Sequence, residues 1–441
     1  MDESLEARNR ALYHIRDTSP KPYKYGFAKL ANELTLIVTK VCNIRCIYCY
    51  DKSNAPLNKK REEILQSKIK REELQLWEIV NLIRTVKKLG CKRIRITGGD
   101  PFMRGDIWEI FDECIDMEVT ICTNGTLIKN QKLVEKAKKF SKLHLHISID
   151  GTDTHAKYRL GSETEEIISN TKWIKNAIPR SYISINTVLN SDNVYELTAL
   201  YTLLKLLKID RWTVSFPRFG KEAQLAKVKL PQLNVIVNVF KELFHSYQMD
   251  GKPFGFTFCY FYKFELYNQH GYILPPVDDS DHPCLPNASG CKGLIIDSFG
   301  NVLDCLVMPS LMDKPINIRA CLKNEDNPDQ LVEMIYGSLK SPYYHLSVKN
   351  SEVCMNCRYR NICKGGCPAN LWWLTDYKEL EGPDPLSCFM FDAFEKDILP
   401  ILPDIDRKSL EILIDTTKPF KNKEKIKNNH TDLLNRVGWL E

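Results

Sequence analysis

Short apolar runs alternate with longer amphipathic stretches through the first half of the chain. Leu34–Thr39, Arg93–Thr97, Glu118–Cys122, Leu143–Ile149, Tyr182–Val188 and Trp212–Phe216 are short and rich in Ile, Val and Thr, a composition that favours strands. Between them, Glu72–Leu89, Gln131–Phe140 and Val194–Leu207 carry apolar residues three and four apart, which puts them on one helix face. This alternation predicts an α/β fold, a parallel sheet with right-handed crossovers. Closed part of the way, such a sheet is a partial (β/α)6 barrel with its chemistry at the carboxyl ends of the strands.

From about Lys221 the alternation fades, and Cys284–Cys388 is loop-rich with many Gly, Pro and Cys. These shifts divide the 441 residues into an extension (1–33), the barrel (34–220), a bridging region (221–282), a cysteine-rich domain (283–395) and a tail (396–441). The cysteine-rich domain is expected to bury little core unaided and to fold with bound metal.

Composition narrows the function. No apolar run approaches the roughly 18 residues of a membrane span, and the charged start Met1–Arg8 is no signal peptide. A cytoplasmic protein is expected. A net charge of +6 on this length does not point to nucleic acid. Lys418, Lys421, Lys423, Lys425 and Lys427 read as a solvated tail or as a patch for an acidic peptide, and the mixed run Lys59–Glu73 reads as a solvated helix face or a peptide contact. Sixteen cysteines in a reducing compartment suggest metal or redox chemistry rather than disulfides.

Three of them, Cys42, Cys46 and Cys49, share one loop directly after the first strand. Clusters are usually held by four cysteines; three thiolates would leave one iron of a [4Fe–4S] cube open. The alternative is a zinc loop completed by a distant histidine. The spacing CxxxCxxC at this place resembles the signature of the radical S-adenosylmethionine (SAM) superfamily. The resemblance implies that SAM chelates the open iron, and that one electron splits its sulfonium into methionine and a hydrogen-abstracting 5′-deoxyadenosyl radical. It also implies that Tyr48 lies near the adenine.

Later strand ends extend the likeness. Thr97-Gly98-Gly99-Asp100-Pro101 is similar to the family's GGEP segment, with Asp100 in place of the usual Glu as acceptor for the SAM amino group. Glycines here let the backbone approach a ligand closely, which assigns Gly98 and Gly99 to the SAM site. Ser148-Ile149-Asp150-Gly151 followed by Arg159 resembles the SIDG stretch of the SPASM branch, which assigns Ser148 and Arg159 to the SAM carboxylate. Asn186, a polar residue in an apolar strand, is either a SAM contact or a structural hydrogen bond. Cys122-Thr123-Asn124-Gly125-Thr126, at a strand end, is either a plain Asn-Gly turn or a functional segment, and His155 reads as a surface or capping histidine.

Eight further cysteines, Cys284, Cys291, Cys305, Cys354, Cys357, Cys363, Cys367 and Cys388, look like the C-terminal SPASM domain. Eight thiolates saturate two more [4Fe–4S] clusters. By resemblance one takes Cys284, Cys291, Cys305 and Cys367, and the other Cys354, Cys357, Cys363 and Cys388; two zinc knuckles are the alternative. Cys91, Cys114, Cys122, Cys259 and Cys321 read as small core residues.

Three clusters with SAM suit an oxidation. The branch implies a peptide maturase that crosslinks side chains of a ribosomally made precursor, fed by a reductant such as flavodoxin or ferredoxin. Formylglycine formation on a sulfatase is a second reading. It is disfavoured because Leu306 stands where those relatives carry Asp after the cysteine; Asp304 precedes Cys305 instead and is the candidate base. A non-catalytic zinc module is the reading from another class. The short extension suggests that a leader peptide binds the barrel, bridge, tail or a separate protein.

Overall fold

The computed structural model describes residues 33–49, 72–218, 228–259, 262–264, 293–308, 311–312, 314–323, 328–338, 340–375, 379–411 and 413–418. Cys284, Cys291, the run Lys59–Arg71 and the lysines beyond Lys418 lie outside the described residues.

The chain alternates as β1 (Glu33–Thr39), α1 (Leu76–Lys88), β2 (Arg93–Gly98), α2 (Ile107–Glu113), β3 (Glu118–Thr123), α3 (Gln131–Ala137), β4 (Lys142–Ser148), α4 (Thr164–Ala177), β5 (Tyr182–Val188), α5 (Leu197–Leu206) and β6 (Arg211–Ser215). The pattern does not fade at 220. Helix α6 (Leu233–Met249) and strand β7 (Gly255–Phe258) add a further unit, and β8 (Tyr262–Phe264) pairs antiparallel with β7. The cause is aromatic packing. Phe240 and Tyr247 of α6 meet Phe258 and Phe256 of β7 at ring separations of 5.1 Å each, so a strand of four residues is enough to hold the helix. The three residues of β9 (Leu294–Ile296), read from sequence as cysteine-rich domain, pair parallel with the opposite edge strand β1. The nine-stranded sheet runs β8-β7-β6-β5-β4-β3-β2-β1-β9, so the expected boundaries near 220 and 283 cut through it.

Each strand sends alternate residues to opposite faces. Ile94, Ile96, Ile121, Leu145 and Ile147 join Ile79, Leu82, Ile110 and Leu133 of the helices in one core. Burying each such side chain is worth roughly 1.5–3 kcal/mol, which makes this face the main source of stability. The other face is polar: Arg95, Thr120, Cys122, His144, His146, Ser184 and Arg211 follow one another across the register. Cys122 therefore departs from the reading as a core residue. It is half-buried on that face and accepts an N–H from Arg95 Nη1 (3.8 Å).

The C-terminal region is built from short helices, α7 (Pro328–Ser338), α8 (Pro368–Leu374), α9 (Pro385–Ala393) and α10 (Asp404–Glu411). It buries more than its loop-rich composition suggested. Tyr359, Leu371, Leu386, Met390 and Phe394 are all buried, and the Tyr359 and Phe391 rings stack at 5.2 Å. The expected tail also docks, through buried Leu410 and an Asp415 N–H bond to Arg358 O (3.0 Å). Among the described residues no helix is long and apolar enough to cross a membrane.

Candidate active site

The loops after the first five parallel strands meet at the strands' carboxyl ends. After β1 the chain runs through Cys42, Cys46 and Cys49, and two contacts set this loop's shape. Below it, Glu73 accepts from Thr39 Oγ1 (3.0 Å) and Lys40 N–H (2.5 Å). Above it, Arg45–Cys46 pairs antiparallel with Arg159–Leu160, and Ile47 N–H donates to Tyr158 O (3.0 Å).

The glycines after β2 sit directly against this loop. Gly99 N–H donates to Thr39 O (2.8 Å) and Asp100 N–H to Val41 O (2.9 Å). A Cβ on Gly98 would lie 2.3 Å from Thr39 O, and one on Gly99 2.3 Å from Val41 O. These glycines, expected to approach a ligand, lie against the cysteine loop's own backbone.

Three residues expected to face SAM are turned inward. Asp100 has no exposed surface. Its Oδ2 accepts from Thr123 Oγ1 (2.7 Å) and Asn124 N–H (2.9 Å), and its Oδ1 from Phe102 N–H (3.0 Å). Burial raises its carboxyl above the usual range while these donors draw it back. One methylene shorter than Glu, the side chain ties its own turn, through Phe102, to the turn after β3, through Thr123 and Asn124. Arg159 is also buried. Its Nε and Nη2 bond Asp150 Oδ2 and Oδ1 (2.6 and 3.3 Å), and Nη1 donates to Cys46 Sγ (3.4 Å). Tyr48 donates its hydroxyl to Asp150, lies 5.5 Å beneath the Arg159 guanidinium and stacks on Tyr158.

Ser148 and Asn186 are different. They are register partners at the ends of β4 and β5, both half-buried on the polar face, and Asn186 Oδ1 accepts from Ser215 Oγ at 3.4 Å. His155 is buried rather than on the surface. Its Nδ1 accepts from Asp150 N–H (3.1 Å) and its Nε2 meets Ser162 Oγ (3.0 Å). Burial lowers it to about 4, so the ring is neutral.

Sequence reasoning missed the residues behind the loop. Asp150 gathers Arg159, Tyr48 and Val188 N–H (2.9 Å) around one fully buried carboxylate. Asn124, fixed by Asp100, extends Nδ2 to Asn43 Oδ1 (2.8 Å) and to Cys42 Sγ (3.8 Å). An acid inside SIDG and an Asn inside a strand-end turn were the available signals.

The donor set suits a metal cluster. Cys42, Cys46 and Cys49 are free thiols, close enough that the charge on one opposes the charge on the others. Burial pushes Cys42 up to about 11 and Cys46 to about 12, so ionised sulfur there calls for a bound cation. Among the described residues no three His, Cys, Asp or Glu side chains converge on a single ion. A cubane asks less, since each thiolate holds its own iron.

In the C-terminal region Cys354, Cys357, Cys363 and Cys388 form a second mutually interacting group. Burial raises all four thiols. Asp384 braces the group: it is fully buried and accepts from Cys367 N–H (3.1 Å), Asn370 Nδ2 (3.2 Å) and Ser387 Oγ (2.7 Å). Gly366, at φ 85°, passes so near that a Cβ would lie 2.4 Å from Asp384 Cβ. Cys367 is half-buried, with Arg218 Nη1 3.7 Å from its sulfur. Asp304 is buried next to Cys305, and its Oδ2 already accepts from Ser341 Oγ (2.7 Å) and Leu311 N–H (3.1 Å). Its carboxyl, raised by burial, braces a loop.

A parallel α/β sheet with a three-cysteine loop at the carboxyl end of its first strand, backed by a glycine turn on the second, is the framework of an iron–sulfur enzyme. The Radical SAM superfamily profile matches residues 36–203. A GTP 3′,8-cyclase of Campylobacter jejuni is 31% identical over 313 residues, 68% of this chain and 87% of that protein. The chain spans only about half of two other curated relatives, 45% and 53% of their lengths. Among solved structures, Streptococcus suis SuiB bound to precursor peptide SuiA matches with TM-score 0.56 and 19% identity, over 80% of this chain and 74% of that one. Histidine-tagged anSMEcpe with bound AdoMet matches with TM-score 0.56 and 17% identity, over 93% and 99%. The chain belongs to the radical SAM superfamily. It is an enzyme of the radical SAM oxidoreductase kind, and the family brings with it a [4Fe–4S] cluster and SAM.

Proposed function

We propose that this enzyme is a SPASM-type peptide maturase, which generates a 5′-deoxyadenosyl radical to modify oxidatively, by crosslinking, the side chains of a ribosomally made precursor peptide. Cys42, Cys46 and Cys49 hold the SAM-binding cluster. Bound there, the cluster supplies the electron for reductive cleavage of SAM. Ser148 and Asn186 meet SAM from the ends of β4 and β5. Gly98, Gly99, Asp100, Tyr48 and Arg159 shape and hold the cysteine loop. Cys354, Cys357, Cys363 and Cys388 hold one auxiliary cluster; Cys305 and Cys367, with Cys284 and Cys291, hold the other. Full ligation suits both to carrying electrons away from substrate, and a flavodoxin or ferredoxin supplies the first electron.

The observation that carries this reading is the eight-cysteine region joined to a SAM core, in which Cys354, Cys357, Cys363 and Cys388 form one mutually interacting group of thiols. The likeness of fold to SuiB, solved with its precursor peptide, supports it. Anaerobic reconstitution should load about twelve irons per chain, four for each of three clusters. Co-expression with candidate precursor peptides should then give products two daltons lighter per bond. Zinc without visible absorbance would overturn the reading in favour of a binding module.

A second reading has its own support. The C. jejuni relative is named a GTP 3′,8-cyclase at 31% identity over 87% of its length. Incubation with GTP, SAM and dithionite decides: consumption of GTP coupled to 5′-deoxyadenosine would replace the peptide by a nucleotide.

A further inference from the structure

We propose that Arg159 tunes the reduction potential of the cluster through a directed N–H bond to Cys46 Sγ, with Asp150 limiting the strength of that effect. This rests on the assignment of Cys42, Cys46 and Cys49 to the cluster.

The geometry is specific. Arg159 lies in the two-residue ladder that pairs its backbone with Cys46, so side chain and thiol share a fixed frame. Its Nε–Nη2 edge is taken by Asp150 at 2.6 and 3.3 Å. The Tyr48 ring covers one face, 5.5 Å away. The remaining nitrogen, Nη1, points at Cys46 Sγ at 3.4 Å. With the residue only 7% exposed, the guanidinium is spent on this pair of contacts rather than displayed to a ligand carboxylate.

Hydrogen bonds and positive charge at a ligating sulfur favour the reduced cluster, which carries one more negative charge. Asp150 lies against the same guanidinium and offsets its charge. The pair is close to neutral, and what reaches the sulfur is chiefly the N–H dipole. The two members therefore act in opposite senses. Losing the donor lowers the potential; losing the counter-charge raises it. A residue that only braced the loop would give no such opposition.

The test is a redox titration of the anaerobic, reconstituted full chain, following by electron paramagnetic resonance the one cluster signal that changes when SAM is added. Iron per chain is measured first. Arg159→Lys keeps the charge but cannot span both partners, and its midpoint should fall. Asp150→Asn should raise it. Each shift should amount to at least a tenfold change in the oxidised-to-reduced ratio at fixed potential, about 59 mV for one electron. Unmoved midpoints, or two shifts of the same sign, in fully loaded proteins would overturn the proposal. Should Arg159→Lys fail to load, Asp150→Asn decides alone: a rise supports the proposal and no rise refutes it. If no signal in the unaltered protein responds to SAM, the cluster assignment itself fails, a result distinct from either.

Discussion

The contact between the glycine turn and the cysteine loop gives a sharp prediction. In Gly99→Ala the new methyl would sit 2.3 Å from Val41 O and 2.5 Å from Val41 C, far inside van der Waals contact. Both atoms are backbone, so no side chain can swing aside. Either the turn or the loop must move, and the bonds that join them, Gly99 N–H to Thr39 O and Asp100 N–H to Val41 O, go with it. Two net hydrogen bonds are worth about 2 kcal/mol, and overpacking adds about 1–3 kcal/mol. A local cost of roughly 3–5 kcal/mol falls on the segment that carries Cys42. Gly105→Ala is the control, because a Cβ there meets nothing within 4 Å. We expect Gly99→Ala to lose the SAM-responsive cluster signal and 5′-deoxyadenosine formation, with about four of twelve irons missing, while Gly105→Ala matches the unaltered protein. A Gly99→Ala protein with a full cluster and normal SAM cleavage would refute the reasoning.

Asp100→Glu restores the family's usual residue but adds a methylene inside a sealed turn. A fall in the urea midpoint equivalent to about 1–3 kcal/mol is expected, and an unchanged midpoint would show that the turn has room. Asp304→Ala strands the Ser341 hydroxyl and the Leu311 N–H. It should cost about 1–3 kcal/mol while SAM-dependent product formation continues; lost product at undiminished thermal stability would make Asp304 the base after all. Acid should weaken the fold. Burial holds His146 down to about 3, His155 to about 4 and His144 well below its ordinary value. The unfolded chain takes up these protons near pH 6.5, so the contribution is whole above that pH and declines as pH falls toward the folded values. Between about pH 7.5 and 5.5 each histidine should cost about 1.4 kcal/mol, and equal urea midpoints at the two pH values would contradict it.

How much of this was legible in the chain depends on where each signal lies. The six early strands stand out because apolar residues, chiefly Ile, Val and Leu with Trp212 in the sixth, recur at their buried positions. The seventh strand, Gly255–Phe258, is four residues long and depends on aromatic contacts with a helix before it, a long-range fact without local periodicity. The grouping of Cys42, Cys46 and Cys49 in one loop was legible because thiol spacing is itself the signal. The acids were not. Asp100 and Asp150 occur in motifs whose usual reading gives a partner to SAM, and a sequence does not say whether a carboxylate faces a cavity or a backbone N–H.

That distinction reorganises the site. Asp100 reaches Cys42 through Asn124, and Asp150 reaches Cys46 through Arg159. Each buried carboxylate orients one N–H donor at one cysteine sulfur. On the proposed cluster assignment, the side chains sealed behind the loop are the ones placed to act on the cluster's seating and potential. Ser148 and Asn186, half-buried register partners near the ends of β4 and β5, are the polar groups proposed to meet SAM. Substitutions in the two acid–donor pairs should consequently change the cluster's spectroscopy before they change SAM affinity, and substitutions of Ser148 and Asn186 should do the reverse.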